Sequence, residues 1–207
     1  MRFLALGDSY TIGEGVAEHD RWPNHLVSSL RARGLDVHEP ELVARTAWTT
    51  DELSDAIDAA APRGPFDLVT LLVGVNDQYR SRPVASFAPE FERLLRRAVA
   101  FARRDPKRVM AISIPDWGST PFAQDRDRAR ITSEIEQYNA TGASLAAAAG
   151  VRWIDITAMT REMLRDPTLA ASDGLHPSGT MYQRWAELFA PIADQILRVP
   201  VKRPRRA

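Results

Sequence analysis

The chain contains no cysteine. That excludes a disulfide framework, a thiol nucleophile and any zinc site that relies on thiolates. No apolar stretch is long enough to span a bilayer. No apolar segment of signal-peptide length precedes the first predicted strand, so the expectation is a soluble, cytoplasmic protein. Charge of one sign is also missing: Lys+Arg and Asp+Glu both number 27, for a net charge of zero. Nothing global therefore draws the protein to nucleic acid or to another anionic partner. The glycines of Gly7-Asp-Ser-Tyr-Thr-Ile-Gly13-Glu-Gly15 have neither P-loop spacing with a following lysine nor the Gly-x-Gly-x-x-Gly fingerprint. A phosphate- or nucleotide-binding reading thus has little to stand on. No internal repeat or linker is visible, and proline and glycine mark turns throughout.

The 207 residues, 44% of them hydrophobic, suit one domain with a sizeable core. Short apolar runs alternate with longer helical patterns. Arg2–Leu6, Val37–Ala44 (interrupted by Pro40), Asp67–Val73, Arg108–Ile114 and Val151–Ile156 read as strands. The run Asp67–Val73 is continuous, branched and apolar, as a central parallel strand covered on both faces should be. Helices are predicted over Pro23–Arg33, from the capping-box sequence Thr49-Thr-Asp-Glu52 to about Ala60, over Val84–Arg104 and over Asp125–Ala149. A last helix, capped by Ser178, carries Met181, Trp185, Leu188, Phe189 and Ile192. Alternating strands and helices imply an α/β fold with a parallel sheet and right-handed crossovers. The domain is placed at residues 1–198. Residues 199–207, basic and broken by proline, read as a flexible tail.

In such a sheet, ligands bind at the carboxyl ends of the strands. Ser9 follows strand one, Thr46–Thr50 follows strand two, and Gly74-Val-Asn76-Asp77 follows strand three. Asp173-Gly-Leu-His176-Pro177 precedes the final helix and can return to the same edge. A serine hydroxyl is a poor nucleophile without a base in hydrogen-bond reach. His176 is the candidate base, and Asp173, three residues earlier, can orient its imidazole. Pro177 stiffens the loop exit. Gly74 is expected to leave room at the mouth of the site, and the Asn76 carboxamide to donate to a developing oxyanion. Backbone N–H groups of Ser9 and of a residue in the strand-two loop could supply the other donors. His19, His25 and His38 read as structural, and Asp8 and Asp77 as turn-forming. Trp48, Trp117 and Phe122 are candidate pocket walls, with packed loop or core positions as the alternative.

Gly7-Asp8-Ser9-Tyr10, Gly74-x-Asn76-Asp77 and Asp173-x-x-His176-Pro177 resemble, in order, the blocks of the GDSL, or SGNH, hydrolase superfamily. The resemblance implies a three-layer α/β/α, flavodoxin-like fold with a five-stranded parallel sheet. It implies ester hydrolysis without metal or cofactor, on a small-molecule ester. Ser9 would be the nucleophile, His176 the base, Asp173 its orienter and Asn76 an oxyanion donor. Two positions depart from the pattern. Tyr10 stands where the family name has leucine. In the second block the best match is Ala47-Trp48-Thr49-Thr50, which puts alanine where the family carries an oxyanion glycine. Alanine still offers its N–H, provided φ there is not positive. With no lid or long apolar insertion visible, short acyl chains are favoured. A deacetylase or thioesterase of the same superfamily, or a binding module that has lost turnover, are the other readings.

Overall fold

The computed structural model describes residues 1–200. Five strands form one sheet: β1 (Phe3–Gly7), β2 (Glu41–Ala44), β3 (Leu68–Leu72), β4 (Val109–Ile112) and β5 (Arg152–Ile154). Every pairing is parallel and the order is β2-β1-β3-β4-β5. This is the flavodoxin-like order, in which the direction of winding reverses between β1 and β3. Right-handed crossovers on either side of that reversal put helices on both faces. One face carries α2 (Trp22–Ala32) against α8 (Gly179–Arg198). The other carries α3 (Thr50–Ala60), α5 (Val84–Phe101) and α6 (Arg128–Ala148), with α5 packed on both of its neighbours. Three short helices, α1 (Ser9–Ile12), α4 (Val75–Tyr79) and α7 (Thr157–Thr160), directly follow β1, β3 and β5.

β1 and β3 are buried along their whole length, as expected of central strands with helices on both sides. Trp22 and Phe189 are fully buried and meet edge to face, joining α2 to α8 at a centroid distance of 5.3 Å. Burial of side chains this large is worth about 1.5–3 kcal/mol each. Among the described residues no helix is long and apolar enough to cross a membrane.

Several boundaries differ from the sequence expectation. β2 is half the predicted length because Pro40 has no N–H for the ladder; Val37 is buried in the preceding loop instead. β4 starts at Val109, since Arg108 closes a 3₁₀ turn and sends its guanidinium to the carbonyls of Asp67 and Val199. α5 stops at Phe101 because Arg103 and Arg104 both turn to positive φ. α6 starts at Arg128, where the Asp127 carboxylate accepts from Arg130 N–H at 3.0 Å. Ser178 occupies the N-cap position of α8, but its hydroxyl is buried and makes no capping bond. The Glu52 half of the predicted capping box does close, accepting from Thr49 N–H at 2.9 Å. α8 ends at Arg198, and residues 201–207 of the predicted tail lie outside the described residues.

Candidate active site

β1 and β3 are neighbours, with Gly7 opposite Leu72 in the register, so the segments that follow them leave the sheet side by side. Asp8 caps α1 by accepting from Tyr10 N–H at 3.0 Å, which turns Ser9 into the first helical residue, directly above the strand end. Gly7 allows this tight return: a Cβ there would lie 2.1 Å from the Thr11 hydroxyl and 2.5 Å from the Leu72 carbonyl.

The loop bearing Asp173 and His176 is closed on itself. Ala171 N–H donates to the His176 carbonyl at 2.7 Å, Ser178 N–H to the Leu169 carbonyl at 2.8 Å, and Ala170 and Pro177 form an antiparallel bridge. One Asp173 oxygen accepts from Leu175 N–H (2.8 Å) and His176 N–H (3.0 Å). The other lies 2.6 Å from His176 Nδ1. On the far side of the ring, Nε2 lies 2.9 Å from Ser9 Oγ. Partial burial pushes the Asp173 carboxyl up. The hydrogen bonds from the His176 ring and the two N–H groups outweigh it and hold the carboxyl below the usual range. An ionised Asp173 keeps the ring proton on Nδ1, leaving Nε2 to accept from the serine hydroxyl. Tyr10 packs on the imidazole at a centroid distance of 5.0 Å and is itself stacked on Trp185. Burial, then the nearby Asp8 and Asp173 carboxylates, push its phenol far above the ordinary range, so it serves as a neutral wall.

The three predicted oxyanion donors come from the segments that follow β1, β2 and β3: the start of α1, the loop before α3, and α4. Ser9 N–H and Ala47 N–H donate to no other group among the described residues. The Asn76 amide donates one hydrogen to the Trp48 carbonyl at 3.0 Å, which fixes its plane and leaves the second hydrogen free. Ala47 has φ +68°, so the condition set by the sequence, that φ there not be positive, is not met. Its carbonyl accepts from Arg80 Nη2 at 2.6 Å, and Arg80 also pairs with Glu52. Asp77 joins α4 to the start of α3: its carboxylate accepts from Thr50 N–H (3.0 Å) and the Thr50 hydroxyl (2.9 Å). The Thr46 hydroxyl donates to the Glu14 carboxylate, tying the β2 loop to the segment after α1.

A cleft of about 190 Å³ opens over Ser9, walled by Tyr10, Val75, Tyr79, Trp117 and Leu175, with Ala47, Asn76 and His176 at its edge. Trp117 is held in place by its indole N–H, which donates to Gln78 at 2.7 Å. Three expectations need correction. Trp48 does not line this cleft; it precedes the N-cap Thr49 and packs on the core, the position of a hydrophobic staple. Phe122 does not line it either, because its loop turns it outward behind Trp117. Gly74 makes no room at the mouth: with φ +126°, its missing Cβ points at the Phe87 ring, 2.7 Å away, in the core. Tyr79 and Arg80 escaped the sequence reading, as did the packing of Tyr10 on His176. Arg80 lies four residues after Asn76, one helical turn on, and that spacing is the one signal for it. His19 and His25 lie beside Asp20, and His38 hydrogen-bonds Met1 through its backbone; none lines the cleft. Among the described residues, no group of three or more His, Asp or Glu side chains could hold a metal ion. A larger open depression, of about 520 Å³, sits at the opposite edge, by the amino ends of β4 and β5.

A hydrogen-bonded Asp-His-Ser chain at the switch point of a doubly wound parallel sheet is the layout of a serine hydrolase. Residues 5–184 match the model of the GDSL-like lipase/acylhydrolase family, and the chain belongs to that family. It is an ester hydrolase by that membership. Solved structures share the fold. The lipase/acylhydrolase from Enterococcus faecalis is 21% identical with a TM-score of 0.71, over 97% of this chain and 100% of that one. Axe2, an acetylxylan esterase from Geobacillus stearothermophilus, is 16% identical with a TM-score of 0.72, over 96% and 97%. TesA is 19% identical with a TM-score of 0.73, over 95% and 100%. No curated protein sequence matches significantly.

Proposed function

We propose that the chain is a serine esterase of short acyl groups that works through an acyl-enzyme. The observation that carries this is the unbroken chain Asp173–His176–Ser9, at 2.6 and 2.9 Å, on the floor of an apolar cleft. Ser9 Oγ attacks the ester carbonyl while His176 Nε2 takes its proton. Asp173 holds the ring and offsets the imidazolium charge. The carbonyl oxygen, now negative, takes hydrogen bonds from Ser9 N–H, Ala47 N–H and the free hydrogen of Asn76 Nδ2. His176 then protonates the departing alcohol. A water, deprotonated by the same nitrogen, releases the acid and restores Ser9.

The cleft volume of about 190 Å³ supports short acyl groups, since it falls below the roughly 300 Å³ at which drug-sized pockets begin. A fluorophosphonate should label Ser9, and Ser9→Ala should abolish both labelling and turnover of p-nitrophenyl acetate. Intact protein that hydrolyses no activated ester and leaves Ser9 unlabelled would sink the proposal. A panel of p-nitrophenyl esters of rising length, with sugar acetates and an acyl thioester beside it, fixes the substrate. An optimum at long chains would refute the short-acyl reading.

A further inference from the structure

Tyr79, at the end of α4, and Trp117 and Phe122, from the loop after β4, form a bowl of rings beside the Ser9 cleft. Tyr79 and Trp117 meet at a centroid distance of 5.3 Å, Trp117 and Phe122 at 6.2 Å. Two of the rings are open to solvent, Tyr79 at 48% and Phe122 at 37% exposure. Arg126 sets its guanidinium carbon over all three, 4.8 Å from Phe122, 5.6 Å from Trp117 and 5.8 Å from Tyr79.

Three other arginines near the site have carboxylate partners: Arg80 with Glu52, Arg82 with Asp51 and Asp77, Arg161 with Asp116 and Glu136. Arg128 spends its guanidinium on the carbonyls of Ala123 and Thr120. Arg126 has no carboxylate within 4.0 Å and no side-chain hydrogen bond among the described residues. Its neighbour Asp127 is occupied in capping α6, and Asp125 makes no ion pair with it. Stacking uses the faces of a guanidinium and leaves its N–H edges free for a two-oxygen acceptor. An arginine already held by rings also loses less side-chain freedom on binding. Tyr79 and Trp117 belong both to the bowl and to the cleft wall, so this unpaired cation stands at the rim of the site.

We propose that Arg126 is a substrate subsite for an anionic group, a carboxylate or phosphate carried by the ester, while the rings take the apolar part next to it. This rests on the esterase reading above. The loop bearing the subsite also abuts the one bearing the base, Phe122 N–H donating to the Gly174 carbonyl at 2.9 Å, so substrate docking and proton transfer occur on neighbouring backbone.

The test compares kcat/KM on matched esters in wild type and Arg126→Gln. One pair, 4-acetoxybenzoate and 4-acetoxybenzamide, carries or lacks the charge on the alcohol. A second, p-nitrophenyl hemisuccinate and p-nitrophenyl butyrate, carries or lacks it on the acyl group. The ratio between enzymes cancels intrinsic ester reactivity. In at least one pair the anionic-to-neutral ratio should fall about tenfold in Arg126→Gln, and less in Arg126→Lys, which keeps charge without the planar fork. Added salt should erode the wild-type preference, and the pair that responds identifies which end of the ester bears the anion. Unchanged ratios in both pairs, with neutral esters still cleaved, overturn the subsite and leave the esterase reading intact. A gain on acetylthiocholine in Arg126→Gln also overturns it, because the bowl would then be a cation cage that Arg126 fills. No turnover of any ester removes both readings.

Discussion

Arg80 donates to the carbonyl of Ala47 at 2.6 Å, and Ala47 is held at φ +68°. The clamp and the unfavourable backbone sit on one residue, the proposed oxyanion donor of the second block. A left-handed conformation costs a residue with a Cβ about 1–2 kcal/mol, and glycine almost nothing. Ala47→Gly should therefore stabilise the fold by roughly 1 kcal/mol in urea titration. Arg80→Met should lower kcat, and the double variant should recover much of that loss. Additive effects in the double variant would show that Arg80 acts elsewhere.

Asn76 is oriented by its bond to the Trp48 carbonyl, which leaves one amide hydrogen for the proposed oxyanion. Asn76→Ala should reduce kcat by roughly 10²–10³ with little change in KM, the pattern of an interaction made only in the transition state. A loss confined to KM would argue for simple substrate binding.

Asp8 is fully buried, and one of its carboxyl oxygens has no partner. Burial, opposed by the Tyr10 N–H bond and reinforced by the charge of Asp77, raises the carboxyl from 3.8 to about 8. The folded protein thus holds a proton that the unfolded chain releases above pH 3.8. Stability from this group is full below that value and declines as pH rises toward about 8. Asp8→Asn keeps an acceptor for Tyr10 N–H and cannot ionise. It should match wild type near pH 4 and exceed it at pH 8.5, by an amount on the order of several kcal/mol. Parallel melting curves at both pH values would refute this.

Gly74 has no space for a side chain: φ is +126°, and Phe87 lies 2.7 Å from the Cβ position. Gly74→Ala should cost roughly 2–4 kcal/mol through overpacking and backbone strain together. Adding Phe87→Leu should return only the packing share, which separates the two causes by thermal melts.

The strands and the chemical blocks were readable because each is a contiguous run with its own pattern. Asp67–Val73 is apolar throughout, and Ser9, Asn76 and His176 each stand in a short motif next to a strand end or a loop. The helices α1 and α4 were invisible, since four or five residues complete hardly more than one turn and show no periodicity. Side chains whose role depends on a distant partner were equally hidden. Trp48 is a plausible pocket wall by type and order, but its staple position decides against it, and Phe122 stands outside the Ser9 cleft, one ring beyond Trp117. Arg126 sits among polar loop residues, and only the folding of the α4 and β4 segments brings three rings beneath it.

The register of β1 against β3 has a further effect. Ser9 and Asn76 leave adjacent central strands, so their separation is inherited from the sheet. Asp173 and His176 hang from a surface loop, braced by its own hydrogen bonds and by the segment after β4. The proposed nucleophile is thus anchored between central strands and its proposed base in a surface loop. Warming should slacken the loop before the sheet gives way, so catalysis should fade below the melting temperature, and on cooling return without refolding. The protein carries its own safety catch, released at the periphery while the frame still stands.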